Sequence, residues 1–153
     1  MDRYIGRFTY ESPFKRFIDD YKTHTWDKEM KKLIRELQAV TDLQAISNSE
    51  IHTNNISSPA ENTVLKRLKL EHEIARRATY KRIFDTALNN LTDDEREIFE
   101  GFHLPKCAVS RFVDEYSHEH DCSTRHTYRL KIESEKAFCE EVMAQKGNYP
   151  TFV

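Results

Sequence analysis

The residues best suited to chemistry lie between Cys122 and Glu133, which read CSTRHTYRLKIE. Thr124, Arg125, Tyr128, Arg129 and Lys131 crowd into eight positions. Arginine can pair bidentately with guanine edges, and Thr or Tyr can reach phosphates or bases. The positive end of a helix also favours phosphate. Placed at about 100° per residue, Thr127, Leu130, Ser134, Ala137, Phe138 and Glu141 fall on one side of a helix. Thr124, Arg125, Tyr128, Arg129 and Ile132 fall on the other. The first set can pack on Phe112 and Tyr116. The second is a cationic and aromatic face. It reads either as a nucleic-acid contact or as the solvated side of a core helix.

Other constellations carry less. His118, His120 and Cys122, with His103 and Cys107 upstream, are zinc-ligand types, but no two pairs show a finger or ribbon spacing. No metal site and no cofactor is expected. The acid pairs Asp19-Asp20, Asp93-Asp94 and Glu140-Glu141 are adjacent, so on a helix they diverge by about 100° and do not form an acid–base couple. There is no P-loop, no GxGxxG and no HExxH. The chain is not expected to be an enzyme.

From Lys66 to Arg82 seven basic residues face two acidic ones. That run could track phosphates, meet an acidic partner, or be a solvated face balanced by Asp93, Asp94, Glu95 and Glu97. The whole chain carries a formal charge of −2, so any affinity for nucleic acid must be local.

The elements that must position these residues are helical. Only 3 glycines and 4 prolines punctuate 153 residues, and 33% of them are charged. Three start signals divide the chain. Ser12-Pro13 opens a helix carrying Phe14, Phe17, Ile18 and Tyr21. After a pause near Thr23–Thr25, Trp26, Met30, Leu33, Ile34 and Leu37 continue at helical spacing, fading near Ile46. Residues 47–58 read as a loop. Ser58-Pro59-Ala60-Glu61 is a capping box that starts a helix of roughly thirty residues, about 45 Å long. Thr92-Asp93-Asp94-Glu95 is a second box. Its short helix ends at Leu104-Pro105. A helix with Val109, Phe112, Val113, Tyr116 and His120 on its apolar stripe is expected next, then a turn, then a helix capped by Ser123 and running towards Met143.

Two helices joined by a tight turn, the second offering donors from its first turns, make a helix-turn-helix. The order LTDDEREIFEGFHL, helix, CSTRHTYRLK, KIESEKAFCEEV resembles phage transcriptional regulators of the ArpU and RinA type. Their C-terminal region is similar to the fourth region of primary sigma factors. Leu91, Glu95, Arg96 and Ile98 match the family's first helix, Ser123 its turn serine, and Tyr128–Lys131 the end of its motif. Ala137 and Phe138 fit the helix that follows, and NISSPAENTVLKRL resembles the family's Ser-rich entry to a long helix. The similarity covers roughly residues 20–143. Asp121 stands where the family has glycine, and Asp tolerates the left-handed region better than most residues. His120 replaces a leucine, and Thr127 a tyrosine.

The resemblance implies a DNA-binding regulator of late phage genes. The expected architecture is all-α: an N-terminal helical region over 1–57, a long central helix over 58–91 and a helix-turn-helix domain over 92–153. Arg125 and Arg129 lead the expected contacts to double-stranded DNA, with Thr124, Tyr128, Lys131 and Lys106. The alternative is a helical factor that binds a host protein such as RNA polymerase without reading DNA. The Val64–Leu91 and Trp26–Leu37 stripes suggest a homodimer. The three cysteines form no CxxC pair, MDRYIGRFTY lacks a signal-peptide core, and no apolar run nears the ~20 residues that span a bilayer. A cytoplasmic location is expected.

Overall fold

The computed structural model describes residues 12–50, 58–145 and 147. These form six helices and no strand: α1 (Ser12–Lys22), α2 (Thr25–Glu50), α3 (Ser58–Asn90), α4 (Asp93–His103), α5 (Val109–Glu119) and α6 (Thr124–Ala144). The fold is all-α. Among the described residues no helix is long and apolar enough to cross a membrane.

Of the three start signals, the one at Thr92 is seen in full. Helices α1 and α3 begin at Ser12 and Ser58. The side chains of Ser12, Pro13 and Ser58–Ala60, and hence the caps expected there, lie outside the described residues. At α4 the box is complete. Glu95 N–H donates to Thr92 Oγ1 at 3.2 Å, and Thr92 N–H donates to Glu95 Oε1 at 3.0 Å. Helix α2 continues to Glu50, past the fade expected near Ile46. Helix α5 ends at Glu119, and His120, expected on its apolar stripe, is instead its exposed C-cap. Residues 51–57 of the expected loop lie outside the described residues. Thr23 closes α1, its N–H and hydroxyl both donating to Asp19 C=O at 2.9 and 2.7 Å. His24 follows with φ 55.

The chain divides into two compact units. Among the described residues, one joins those up to Thr23 with those from Lys81 onward, and the other falls within His24–Tyr80. The first holds an aromatic core. Phe99 and Phe138 stack at 4.4 Å, Phe84 lies 4.9 Å from Phe138, and Phe17 lies 5.5 Å from Phe84. Helix α1 supplies Phe14 and Phe17, so it packs with the C-terminal helices. Tyr21 stacks flat on Phe84 at 3.8 Å and donates to Asp85 at 2.7 Å. Burial and the Asp85 carboxylate push the Tyr21 phenol up to about 12.

In the second unit Trp26 lies 6.0 Å from Tyr80. Arg77 clamps Glu29 and Glu73, both at 2.6 Å. Burial alone would raise the Glu73 pKa, but the Arg77 hydrogen bond and the charges of Arg77 and Arg76 outweigh it. The carboxyl is held below its usual 4.5.

Candidate nucleic-acid interface

The candidate face depends on how α6 is aimed, and three devices aim it. The first is a close approach at Gly101. A Cβ there would meet the Phe112 ring at 2.1 Å, so only glycine lets that ring lie on α4. Beneath it Ile98, Phe102, Val113 and Tyr116 form a cluster, joined by Val109, Phe112, Cys122 and Leu130. A mid-helix glycine costs about 1 kcal/mol against alanine, which is the sequence signal for such a packing reason.

The second device is the turn. Cys122 N–H bonds Ser117 C=O at 3.0 Å and Asp121 N–H bonds His118 C=O at 3.4 Å, the paired closure of a Schellman motif. Its left-handed residue is Asp121, with φ 48. Asp121 thus takes the left-handed conformation that glycine adopts most readily, one that Asp tolerates better than most residues.

The third device is a weld of hydroxyls. Thr127 is fully buried. Its hydroxyl donates to Ser123 C=O at 3.2 Å, leaving it to accept from Ser117 at 2.8 Å. Ser123 caps α6, accepting the His126 N–H at 3.1 Å. Sequence reasoning placed Thr127 on the packing side but missed Ser117 as its partner. Helix α4 ties down the next turns of α6, with His103 Nε2 2.9 Å from Glu135 Oε1.

Leu130, Ser134, Phe138 and Val142 continue the inward stripe of α6. Thr124, Arg125, Tyr128 and Arg129 are exposed outside it. Ser123, Arg125, His126, Tyr128, Arg129 and Ile132 line one open depression. Sequence reasoning did not single out His126. The Tyr128 ring leans on Phe102 at 5.5 Å while staying 48% exposed. Among the described residues Arg125 and Arg129 have no hydrogen-bond or ion-pair partner. By contrast Arg96 holds Glu100 at 3.0 Å and Arg111 holds Glu115 at 2.8 Å.

The remaining candidates stand apart. Lys131 is half-buried, 5.4 Å above the Phe102 ring and 3.8 Å from Glu135. Lys106 is exposed in the α4–α5 connection, beside Arg96, Glu97 and Cys107. In the basic run Arg67 pairs with Glu71 at 3.2 Å, Arg76 donates to Tyr80 at 2.8 Å, and Arg77 holds its two glutamates. These arginines serve the local fold, while Lys66, Lys69 and Arg82 are exposed.

The zinc-type residues do not converge. His103 is held by Glu135, and Cys122 Sγ lies 3.6 Å from Thr127 Oγ1. Among the described residues one group gathers three possible ligands: Glu97, Glu119 and His120, all exposed. Burial and the nearby Glu135 and Glu140 push the Cys139 thiol up to about 12, so it is no nucleophile at neutral pH.

No protein-family model, no curated protein and no solved structure significantly matches this chain.

Proposed function

We infer that this chain binds duplex DNA sequence-specifically through the first turns of α6, as a transcription regulator of the phage or prophage type its sequence resembles. One observation carries the reading. Arg125 and Arg129 project together beside the capped start of α6 with no intramolecular partner among the described residues, next to a tyrosine braced on Phe102. Arginine on an open helix face is free to pair with guanine or phosphate. Such a protein works in the cytoplasm of the host bacterium. Lys131 and Lys106 stand outside this cluster and supply at most phosphate contacts.

The same reading includes a homodimer, because helix-turn-helix proteins commonly bind paired half-sites. Within His24–Tyr80, Trp26 and Tyr80 cover one another, whereas Val64, Leu65 and Leu68 on α3 are 43%, 55% and 54% exposed. Those three are the dimer's contact. Sedimentation that finds only monomer, with and without DNA, removes the dimer.

The test of the main reading is selection of duplexes from a random pool at two salt concentrations. A consensus whose affinity falls steeply with salt supports it. Absence of duplex binding, together with capture of RNA polymerase, supports the protein-interaction reading instead.

A further inference from the structure

The reading of α6 as a DNA-contacting helix leaves Ile132, on its outward face, without a role. Ile132 is 46% exposed. A lone exposed isoleucine means little. Its position means more. It lies three residues after Arg129, four after Tyr128 and seven after Arg125, so all four share one stripe. It lines the same open depression as both arginines. The neighbouring Tyr128 ring, braced on Phe102, walls one side. An apolar contact is thus built into a cationic face.

In the major groove one base offers an apolar group: thymine, through its C5-methyl. Arg125 and Ile132 are seven residues apart, about 10 Å at 1.5 Å per residue. A duplex rises about 3.4 Å per base pair along each strand, so that stretch spans about three base-pair steps. Arginine at one end would meet a guanine, and the isoleucine at the other end a methyl.

We propose that Ile132 is a specificity-determining residue that contacts a thymine methyl, so that the bound site carries a thymine about three base pairs from the base or phosphate met by Arg125. This rests on the DNA-binding reading of α6. It names the base chemistry which that reading leaves open.

Deoxyuridine differs from thymine only by the methyl, so it isolates the contact. The experiment takes the best duplex from the random-pool selection and replaces each thymine in turn with deoxyuridine. Affinity is measured for the parent, Ile132→Ala and Ile132→Leu, each checked by thermal melting. At one position the parent should lose about fourfold in affinity, the worth of one buried carbon. Ile132→Ala should bind the two duplexes nearly equally, and Ile132→Leu should restore the preference. The variants should melt like the parent, because the side chain is half in solvent.

Two results overturn the proposal while leaving DNA binding intact. In one, the parent binds its selected site in a salt-dependent way yet ignores every thymine-to-deoxyuridine change. In the other, Ile132→Ala keeps the full preference for thymine. A third result, no selectable duplex at all, brings down the proposal together with the reading it rests on.

Discussion

Replacing Thr127 by valine keeps the side chain's shape and deletes its hydroxyl. The site is fully buried, so water cannot take the hydroxyl's place. The weak 3.6 Å contact to Cys122 Sγ goes, together with two bonds to oxygen: one to Ser123 C=O at 3.2 Å and one with Ser117 at 2.8 Å. Each is worth about 1 kcal/mol net, and Ser117 is left without its acceptor, so Thr127→Val should cost about 1–3 kcal/mol. For a chain of this length that is roughly 2–4 °C of melting temperature per kcal/mol. Ser117→Ala removes one bond and should cost about 0.5–1.5 kcal/mol. The double variant should cost little more than Thr127→Val alone, because the shared bond can be broken only once. The coupling in that cycle should be about 1 kcal/mol. Melting followed by circular dichroism on the four proteins measures it. Strictly additive effects would refute the claim that these hydroxyls weld α5 to α6. The same change should weaken DNA binding without altering its salt dependence, since no phosphate pairing is removed.

Gly101→Ala should destabilise the chain by about 1–3 kcal/mol, since its Cβ would meet the Phe112 ring at 2.1 Å, and Phe112→Leu should recover part of that stability in the double variant. Iodoacetamide at neutral pH should label exposed Cys107 well before Cys139, whose thiol is pushed up to about 12; mass spectrometry of timed digests reads the order. Glu73 is held below its usual 4.5, so its share of stability is complete above that pH and drains away as pH falls through the folded value. Melting of the parent and Glu73→Gln should therefore differ at neutral pH and converge in acid.

Local chemistry was the legible part. Thr92 with Glu95, and Ser123, are caps readable within four residues, and the structure forms both. Asp121 was legible as a turn residue because its tolerance of the left-handed region is intrinsic. Partners far apart in sequence were not legible. Nothing near Phe14 announces that it will meet Phe99 and Phe138, and nothing near His103 announces Glu135. Periodicity also over-reads burial. Val64, Leu65 and Leu68 continue the apolar pattern of α3 yet are exposed, because periodicity marks an apolar side without saying what covers it. Composition likewise marks Lys66–Arg82 as basic, but only geometry reveals that Arg67, Arg76 and Arg77 are engaged locally. The α6 face could be drawn from helical spacing, because Leu130 and Phe138 with the small Thr127 and Ser134 mark an inward side and a helix then fixes the opposite one.

The central claim is that Arg125 and Arg129 read duplex DNA. It is tested most directly by the affinity of Arg125→Ala/Arg129→Ala for a selected site and for random duplex, at two salt concentrations. Both side chains are exposed and bear no intramolecular bond among the described residues, so the variant should melt like the parent. Removing an arginine that pairs with guanine should take away roughly 1–3 kcal/mol of discrimination, and removing one that pairs with phosphate should lower the salt slope by about one. The account predicts a folded protein that no longer distinguishes the selected site from random duplex. A folded double variant that binds the selected site as tightly as the parent would contradict it.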